Sequence, residues 1–171
     1  MRKVLLLIIA ALVLSSCDIN TEPIELTNTT VINEIVAVSI PQTSGESVDF
    51  NENVDQDLSA IISNFNEIND ININSLSYQY QNVSGNTNAV IQSATIVING
   101  TTIATLSDLN INQEASNGTI FEISDVAILD AIETQFLSNS NANIQFSGSA
   151  VSEEGSVDFD IAISINLTVT F

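Results

Sequence analysis

The stretch Ser156–Phe171, SVDFDIAISINLTVTF, alternates apolar and polar residues up to the last position of the sequence. The apolar positions are Val157, Phe159, Ile161, Ile163, Ile165, Leu167, Val169 and Phe171. Because successive side chains of a strand point to opposite faces, this pattern predicts a strand with one apolar and one polar face. The apolar face must contact either a protein core or the hydrocarbon of a membrane, and that contact decides the fold class.

Shorter alternating runs and turn signals precede this stretch, and together they predict one mainly β domain over residues 31–171. We expect an antiparallel β-sandwich with one or two short α-helices, and an immunoglobulin-like topology is one candidate. The alternative is a small outer-membrane β-barrel of eight strands. Such barrels carry aromatic girdles, whereas this sequence has no Trp and only two Tyr. The sandwich is therefore favoured.

Two stretches change from the strand period to the helical period. The first stripe comprises Leu58, Ile61, Ile62 and Phe65, and the second comprises Val126, Leu129, Ile132 and Phe136. Residues at these spacings share one helix face. Asp55 or Asp57 is the predicted N-cap of the first helix and Ser124 that of the second.

Several short signals predict how the strands are joined. Asn99-Gly100 between two β-rich runs indicates a two-residue type I′ hairpin turn. The parity of the apolar residues breaks between Ile73 and Leu76, which indicates a β-bulge. Glu153-Glu154-Gly155 is the predicted turn of the last hairpin. DLNINQ and TIFEIS are predicted as short strands separated by EASNG.

The first seventeen residues, MRKVLLLIIAALVLSSC, have the plan of a secretory signal. Arg2 and Lys3 precede an apolar run over residues 4–14, which is too short to span a membrane as a helix. The sequence Leu14-Ser15-Ser16-Cys17 then resembles the lipobox of bacterial lipoproteins, and Cys17 is the single cysteine of the chain.

This resemblance implies that a signal peptidase recognises Leu14, Ser15 and Ser16 and cleaves before Cys17. It also implies that Cys17 carries acyl chains such as palmitate on its sulfur and its amino group. Two or more acyl chains anchor a protein stably. We expect residues 1–16 to be the signal peptide and residues 17–30 to be the lipidated N-terminus and a tether.

The charge of the chain excludes several classes of function. Arg2 and Lys3 are the only basic residues, there is no His, and the formal net charge is −19. Nucleic-acid binding needs Lys and Arg to neutralise phosphates. Triad catalysis and zinc binding lack their usual side chains. We therefore expect neither an enzyme nor a cofactor-dependent protein, and no nucleic-acid partner.

Two groups of oxygen-bearing side chains are candidate metal sites. Glu52, Asp55 and Asp57 precede the first predicted helix and could bind a hard cation. Asp70, Asn72 and Asn74 match the start of a calcium loop, but Ser75 replaces the glycine that follows and Gln81 the final glutamate. Residues such as those of the first group more often lie at a solvated helix start, and the alternation of the second group with Ile71 and Ile73 indicates a strand. We therefore predict no metal site.

Tyr78 and Tyr80 lie at alternate positions and share one strand face. They could form a platform for a ligand, but packing in the core is the commoner role of such a pair.

The sequence therefore predicts a lipid-anchored protein of the bacterial cell envelope with a non-enzymatic binding or scaffolding role. Its expected partners are the membrane through Cys17 and another envelope protein, a glycan or a cationic surface. The alternatives are a carrier of a lipid or small apolar ligand between the sheets, and the small barrel. We expect the outer membrane, although Asp18 resembles the inner-membrane retention signal of enteric bacteria.

Overall fold

A computed structural model describes residues 25–59, 68–139 and 141–171. It contains eight β-strands and two α-helices in these ranges. The strands are β1 (Thr27–Ile40), β2 (Val48–Asp57), β3 (Asp70–Gly85), β4 (Val90–Ile98), β5 (Thr101–Asn110), β6 (Ile120–Ile123), β7 (Asn141–Val151) and β8 (Val157–Thr170). The helices are α1 (Ile111–Asn117), between β5 and β6, and α2 (Val126–Ser138), between β6 and β7.

The strands form two antiparallel sheets of four. Sheet I has the order β1-β8-β3-β6, and sheet II has the order β2-β7-β4-β5. The β-sandwich that the sequence predicts is therefore confirmed. In an immunoglobulin domain the first two strands lie side by side, whereas here β1 and β2 lie in different sheets. β1 pairs with β8, β2 with β7, β3 with β6 and β4 with β5. This nested pairing is the topology of a jelly roll.

β8 lies inside sheet I, where it pairs along its length with β1 on one side and β3 on the other. All seven apolar residues at alternate positions from Val157 to Val169 are at most 3% exposed. They pack in one core cluster with apolar residues of both sheets. The apolar face of the opening stretch therefore contacts protein.

Aromatic rings connect the two sheets. The ring of Phe146 on β7 lies 4.9 Å from that of Phe50 on β2 and 6.2 Å from that of Phe159 on β8, measured between centroids. Phe159 in turn lies 6.4 Å from Tyr80 on β3. These contacts fill the space between the sheets and bury the largest side chains there.

The turns and the β-bulge can be compared with the predictions made from the sequence. Asn99 and Gly100 both have positive φ, 47° and 85°, as a type I′ turn requires, and they join β4 to β5. The predicted β-bulge is present as a register shift between Ile73 and Ser75. These two local predictions are confirmed. Glu153-Glu154-Gly155 does form a turn between β7 and β8, but the predicted hairpin is wrong, because β7 lies in sheet II and β8 in sheet I and the two strands do not pair.

The helices differ from the sequence-based expectation in two places. DLNINQ is only partly a strand, because β5 ends at Asn110 and α1 begins at Ile111. The side chain of Asn110 accepts a hydrogen bond from the backbone N–H of Gln113 at 2.9 Å and so caps α1. α2 is confirmed, but its N-cap is Asp125 instead of Ser124, since the Asp125 carboxylate accepts from the N–H of Ala127.

The remaining predictions concern residues at the ends of the described ranges or outside them. β1 begins at Thr27, four residues before the predicted domain boundary, and Leu26 pairs with Phe171 through backbone hydrogen bonds. Most of the first predicted helix falls on residues 60–67, and the predicted signal peptide and lipidated cysteine fall on residues 1–24. These predictions lie outside the described residues. No helix in the described ranges has the length and hydropathy needed to span a membrane.

Candidate binding surface

The outward face of sheet I carries a row of side chains that crosses all four strands. The register places Ile35 of β1 opposite Ala162 of β8, Ala162 opposite Gln79 of β3, and Gln79 opposite Ile120 of β6. The two isoleucines at the ends of this row are 52% and 61% exposed. A large apolar side chain therefore stands at each border of an otherwise small and polar surface.

Between the two isoleucines lies a groove of about 450 Å³, here called the sheet I groove. Its lining comprises Asn33, Glu34, Ile35, Ser77, Tyr78, Gln79, Gln81, Ile120, Ala162, Ile163 and Ser164. The floor is low because the polar face of β8 presents Ala162 and Ser164 there, and both side chains are short. Glu34 is the single charged residue of the lining. A groove of this size can receive apolar side chains of a partner.

Ile35 belongs to a longer apolar strip on β1. Val31 is 50% exposed and lies on the same outward face. The inward face of β1 is also apolar, with Ile32, Val36, Val38 and Ile40 buried. Over residues 31–36, β1 thus carries two apolar side chains on each face, with Asn33 between the outward pair and Glu34 between the inward pair.

Two further grooves lie among carboxylates. One of about 220 Å³ is lined by Asn86, Asn88, Val90, Val151, Glu153 and Glu154. The other, of about 290 Å³, is lined by Ala37, Val38, Ser39, Glu52, Asn82, Asp158, Phe159 and Asp160. In each groove an asparagine amide donates to a carboxylate, from Asn88 to Glu154 at 2.9 Å and from Asn82 to Asp160 at 2.7 Å. Amides thus take the role that cationic side chains have in most proteins.

The first candidate metal group is spread over two faces. Glu52, Asp55 and Asp57 all lie on β2. Glu52 points to the opposite face from Asp55 and Asp57, because strand side chains alternate. The Asp55 carboxylate accepts from the Asn143 amide at 2.7 Å. Hydrogen bonds from the side chain and N–H of Ser59 lower the pKa of Asp57.

The second candidate metal group is part of a strand. Asp70, Asn72 and Asn74 lie on β3, and the Asn74 amide donates to Asn166 and Thr168 of β8, both at 3.0 Å. The backbone there is extended instead of looped around an ion. Within residues 25–59, 68–139 and 141–171, no group of three or more His, Cys, Asp or Glu side chains is arranged to hold a metal ion.

Tyr78 and Tyr80 are core residues, 5% and 1% exposed. The Tyr78 ring stacks on Phe121 with centroids 4.8 Å apart. Burial, and then the charge of Glu114, raises the pKa of Tyr78 above its ordinary value of 10.0. Burial also raises the pKa of Tyr80, whose buried hydroxyl has no hydrogen-bond partner among the described residues. The pair does not form a ligand platform on the surface.

The two buried tyrosines provide a test of the stability of the fold at alkaline pH. Because burial raises their pKa values, their contribution to stability is full below pH 10 and is lost as the pH rises above it. We expect tyrosinate absorbance to stay low in the folded chain above pH 10 and to rise together with the loss of the far-ultraviolet circular dichroism signal. The chain unfolded in urea is the control, since both tyrosines should ionise there near pH 10. Full ionisation with unchanged circular dichroism would contradict the buried arrangement.

The charge of the domain provides a second test. Residues 4–171 contain no Lys, Arg or His, so the carboxylates have no cationic side chain to pair with and only repel one another. Salt screens this repulsion over about 10 Å at 0.1 M and less at higher concentration. We expect the melting temperature to rise by several degrees between dilute buffer and half-molar sodium chloride.

A control for this salt effect is sodium sulfate at the same ionic strength. Screening alone predicts a similar rise in both salts, whereas a rise in sulfate only would indicate exclusion of that salt from the surface. A melting temperature that is the same in dilute buffer and in half-molar chloride would show that the repulsion does not limit stability.

Leu14, Ser15, Ser16 and Cys17 lie outside the described residues, so their roles stay predictions. The surface residues Val31, Ile35 and Ile120 were not singled out from the sequence. For β1 a signal was present, because the pairs Val31-Ile32 and Ile35-Val36 place apolar residues on both strand faces. For Ile120 there was none, since its outward direction depends on how β6 pairs with β3.

The fold and the surface define the chain as an acidic jelly-roll domain with an exposed apolar groove. No family model matches it, and no curated protein is similar to it in sequence. Among solved structures, it is similar to a chain of the structure of infectious bursal disease virus Gx strain, with a TM-score of 0.29 and 14% identity. That match covers 86% of this chain and 36% of the viral chain, so this chain spans just over a third of that protein's length.

Proposed function

We propose that this protein is a lipid-anchored component of the bacterial cell envelope whose jelly-roll domain binds another protein at the membrane surface. The observation that carries the binding role is the sheet I groove. Ile35 and Ile120 expose apolar surface on its two borders, whereas the inward-facing apolar residues of the two sheets form a buried core. The anchor rests on the resemblance of Leu14-Ser15-Ser16-Cys17 to the lipobox. The outer membrane is the proposed location.

A binding role without catalysis is supported by the chemistry that the sequence offers. The chain has no His, and its one Cys is the proposed site of acylation. The side chains that could act as general acids or bases are then the carboxylates and the two tyrosines, and both tyrosines are buried. Two carboxylates in the described grooves, Glu154 and Asp160, accept hydrogen bonds from asparagine amides. These neutral partners hold the two carboxylates at the surface of the domain.

A protein partner is better supported than a glycan. Sugar sites commonly use exposed aromatic rings, but the described Phe and Tyr side chains are all buried or half-buried. The groove offers aliphatic side chains and a polar floor instead. A carrier of an apolar ligand between the sheets would need interior space, and the rings of Phe50, Phe146 and Phe159 occupy that region.

The anchor is tested by replacing Cys17. We expect the wild-type chain to sediment with membranes, to resist extraction by high salt and to dissolve in detergent, because acyl chains hold it by hydrophobic contact. The Cys17→Ser variant should lose acyl labelling and leave the membrane fraction almost completely. Equal membrane retention of both chains would refute the lipid anchor.

The binding role is tested by carbodiimide coupling in intact envelopes, which joins carboxylates to amines. After removal of residues 1–16 the chain has no Lys, and acylation blocks its N-terminus, so two copies cannot be coupled to each other. A covalent product must therefore contain a different, amine-bearing molecule. We expect a discrete heavier band containing a second protein. Its absence under conditions that couple a known pair would refute protein binding.

A further inference from the structure

The four edge strands of the sandwich are protected to different degrees. β2 carries Asp49, Glu52, Asp55 and Asp57, and such charges prevent the addition of another strand. β6 has only four residues. β5 leads directly into α1, and both helices contact it. β1 is the longest edge strand, with fourteen residues, and Glu34 is its single charge.

β1 has hydrogen-bonded neighbours on one side only. It pairs with β8, and no described strand pairs with its other edge. Toward its C-terminal end the groove that contains Glu52 brings β2 close to Val38 and Ser39. The accessible length is therefore Thr27–Ile35. An edge of this length that carries only one charge, that of Glu34, is a template for a further strand.

Exposed apolar side chains accompany the free edge. Val31 and Ile35 point outward from β1, and Ile35 borders the sheet I groove. A strand added along β1 would place alternate side chains directly beside these two residues, at the distance of cross-strand neighbours. The backbone of β1 and the apolar strip thus fit the same extended ligand.

The charge of the chain indicates which ligand this is. A second copy would bring its own carboxylates and no cation, because residues 4–171 contain none. An extended segment rich in Lys or Arg is instead attracted by the domain as a whole and by Glu34 on β1. Charge complementarity therefore favours a basic partner over self-association.

We infer that the free edge of β1 receives an extended, basic segment of a partner protein as a fifth strand of sheet I, with alternate apolar side chains of that segment packed beside Val31 and Ile35. This inference rests on the proposed function and specifies where the envelope partner binds and what chemistry its docking segment has.

The test uses the full chain in detergent at physiological salt and a fluorescent peptide of about ten residues, a typical strand length, that alternates Lys and Val. A peptide with the same composition in two blocks is the control for attraction by charge alone. We expect the alternating peptide to bind more tightly than the block peptide in fluorescence anisotropy. In hydrogen exchange, it should protect the amides of β1.

Two matched variants locate the site. Ile35→Lys removes an exposed apolar side chain beside the peptide and adds a like charge, so it should weaken binding about tenfold. Val126→Lys makes the same chemical change on α2 at a position that is 66% exposed, and binding should change little. Val31→Lys repeats the test four residues away, two strand repeats along the same face of β1.

Several results would overturn the inference. Equal binding of the block peptide, equal weakening by Ile35→Lys and Val126→Lys, or exchange protection on β2 or β5 would each exclude docking on β1. Dimers of the chain formed through β1 without peptide would assign the edge to a second copy. If carbodiimide captures the same partner with wild type and with Ile35→Asn, the binding function stands and the β1 site fails. If wild type captures none, the proposed function itself fails.

Discussion

Phe146→Ala should lower the free energy of unfolding by about 3–5 kcal/mol, the range found for truncation of a buried aromatic residue. Phe146 is fully buried, and its ring contacts Phe50 within sheet II and Phe159 across the sandwich. Truncation to Ala removes both contacts and leaves a cavity between the sheets. Since domains of this size are stable by about 5–15 kcal/mol, the loss is a large part of the total.

Urea denaturation followed by far-ultraviolet circular dichroism measures this loss, and Ile120→Ala is the matched control. Ile120 is also a large apolar residue on a strand, but it is 61% exposed, so its truncation should cost less than about 1 kcal/mol. Similar losses for the two variants would mean that the sheets do not meet at Phe146.

The part of this fold that could be predicted is the part set by local chemistry. The alternation of β8 identifies its buried face, because a one-residue shift would place every apolar side chain in water. Asn99-Gly100 identifies a turn since few residues adopt positive φ at two successive positions. The bulge after Ile73 follows from the same parity argument.

The topology could not be predicted, because it depends on pairs that are distant in the sequence. β1 and β8 pair although they lie at opposite ends of the domain, and β2 pairs with β7 in the same manner. The alternation within each strand is the same in a jelly roll and in an immunoglobulin domain. Only the choice of neighbours differs, and no local pattern encodes it.

α1 shows how a local pattern can mislead. Leu109 and Ile111 flank Asn110 and alternate as in a strand, yet the strand ends there. The Asn110 side chain accepts from the N–H of Gln113, and Gly118 ends the helix with φ of 63°. Asn before a helix and Gly after it are common capping residues. The capping residues Asn110 and Gly118 therefore indicate this seven-residue helix, whereas the spacing of its apolar residues does not.

The candidate surface was only half predictable. β1 contains two adjacent apolar pairs, Val31-Ile32 and Ile35-Val36. Because neighbouring side chains of a strand point to opposite faces, one residue of each pair must lie on the outward face. The groove itself depends on sheet I bringing Ile120 level with Ile35, across Ala162 and Gln79. That juxtaposition is a property of the strand order, which the sequence does not reveal.

Gly148→Ala should also be strongly destabilising, by about 3 kcal/mol or more, although the added group is a single methyl. Gly148 lies on β7 between β2 and β4, opposite Phe50 and Ala94. A Cβ at this position would lie 2.1 Å from the carbonyl oxygen of Ser93 and 2.6 Å from the Cα of Ala94. Both are backbone atoms of a paired strand, so they cannot move aside as the end of a flexible side chain can.

Gly100→Ala separates this steric effect from backbone strain. Gly100 has φ of 85°, but no atom lies within 4 Å of an added Cβ, so the cost there is only that of left-handed backbone, about 1–2 kcal/mol. Gly148 has no such positive φ. If urea denaturation shows a larger loss for Gly148→Ala than for Gly100→Ala, close contact of β7 with β4 limits that site. The reverse order would mean that β4 can move away from β7, and that its register shift between Ile91 and Ser93 is a flexible part of sheet II.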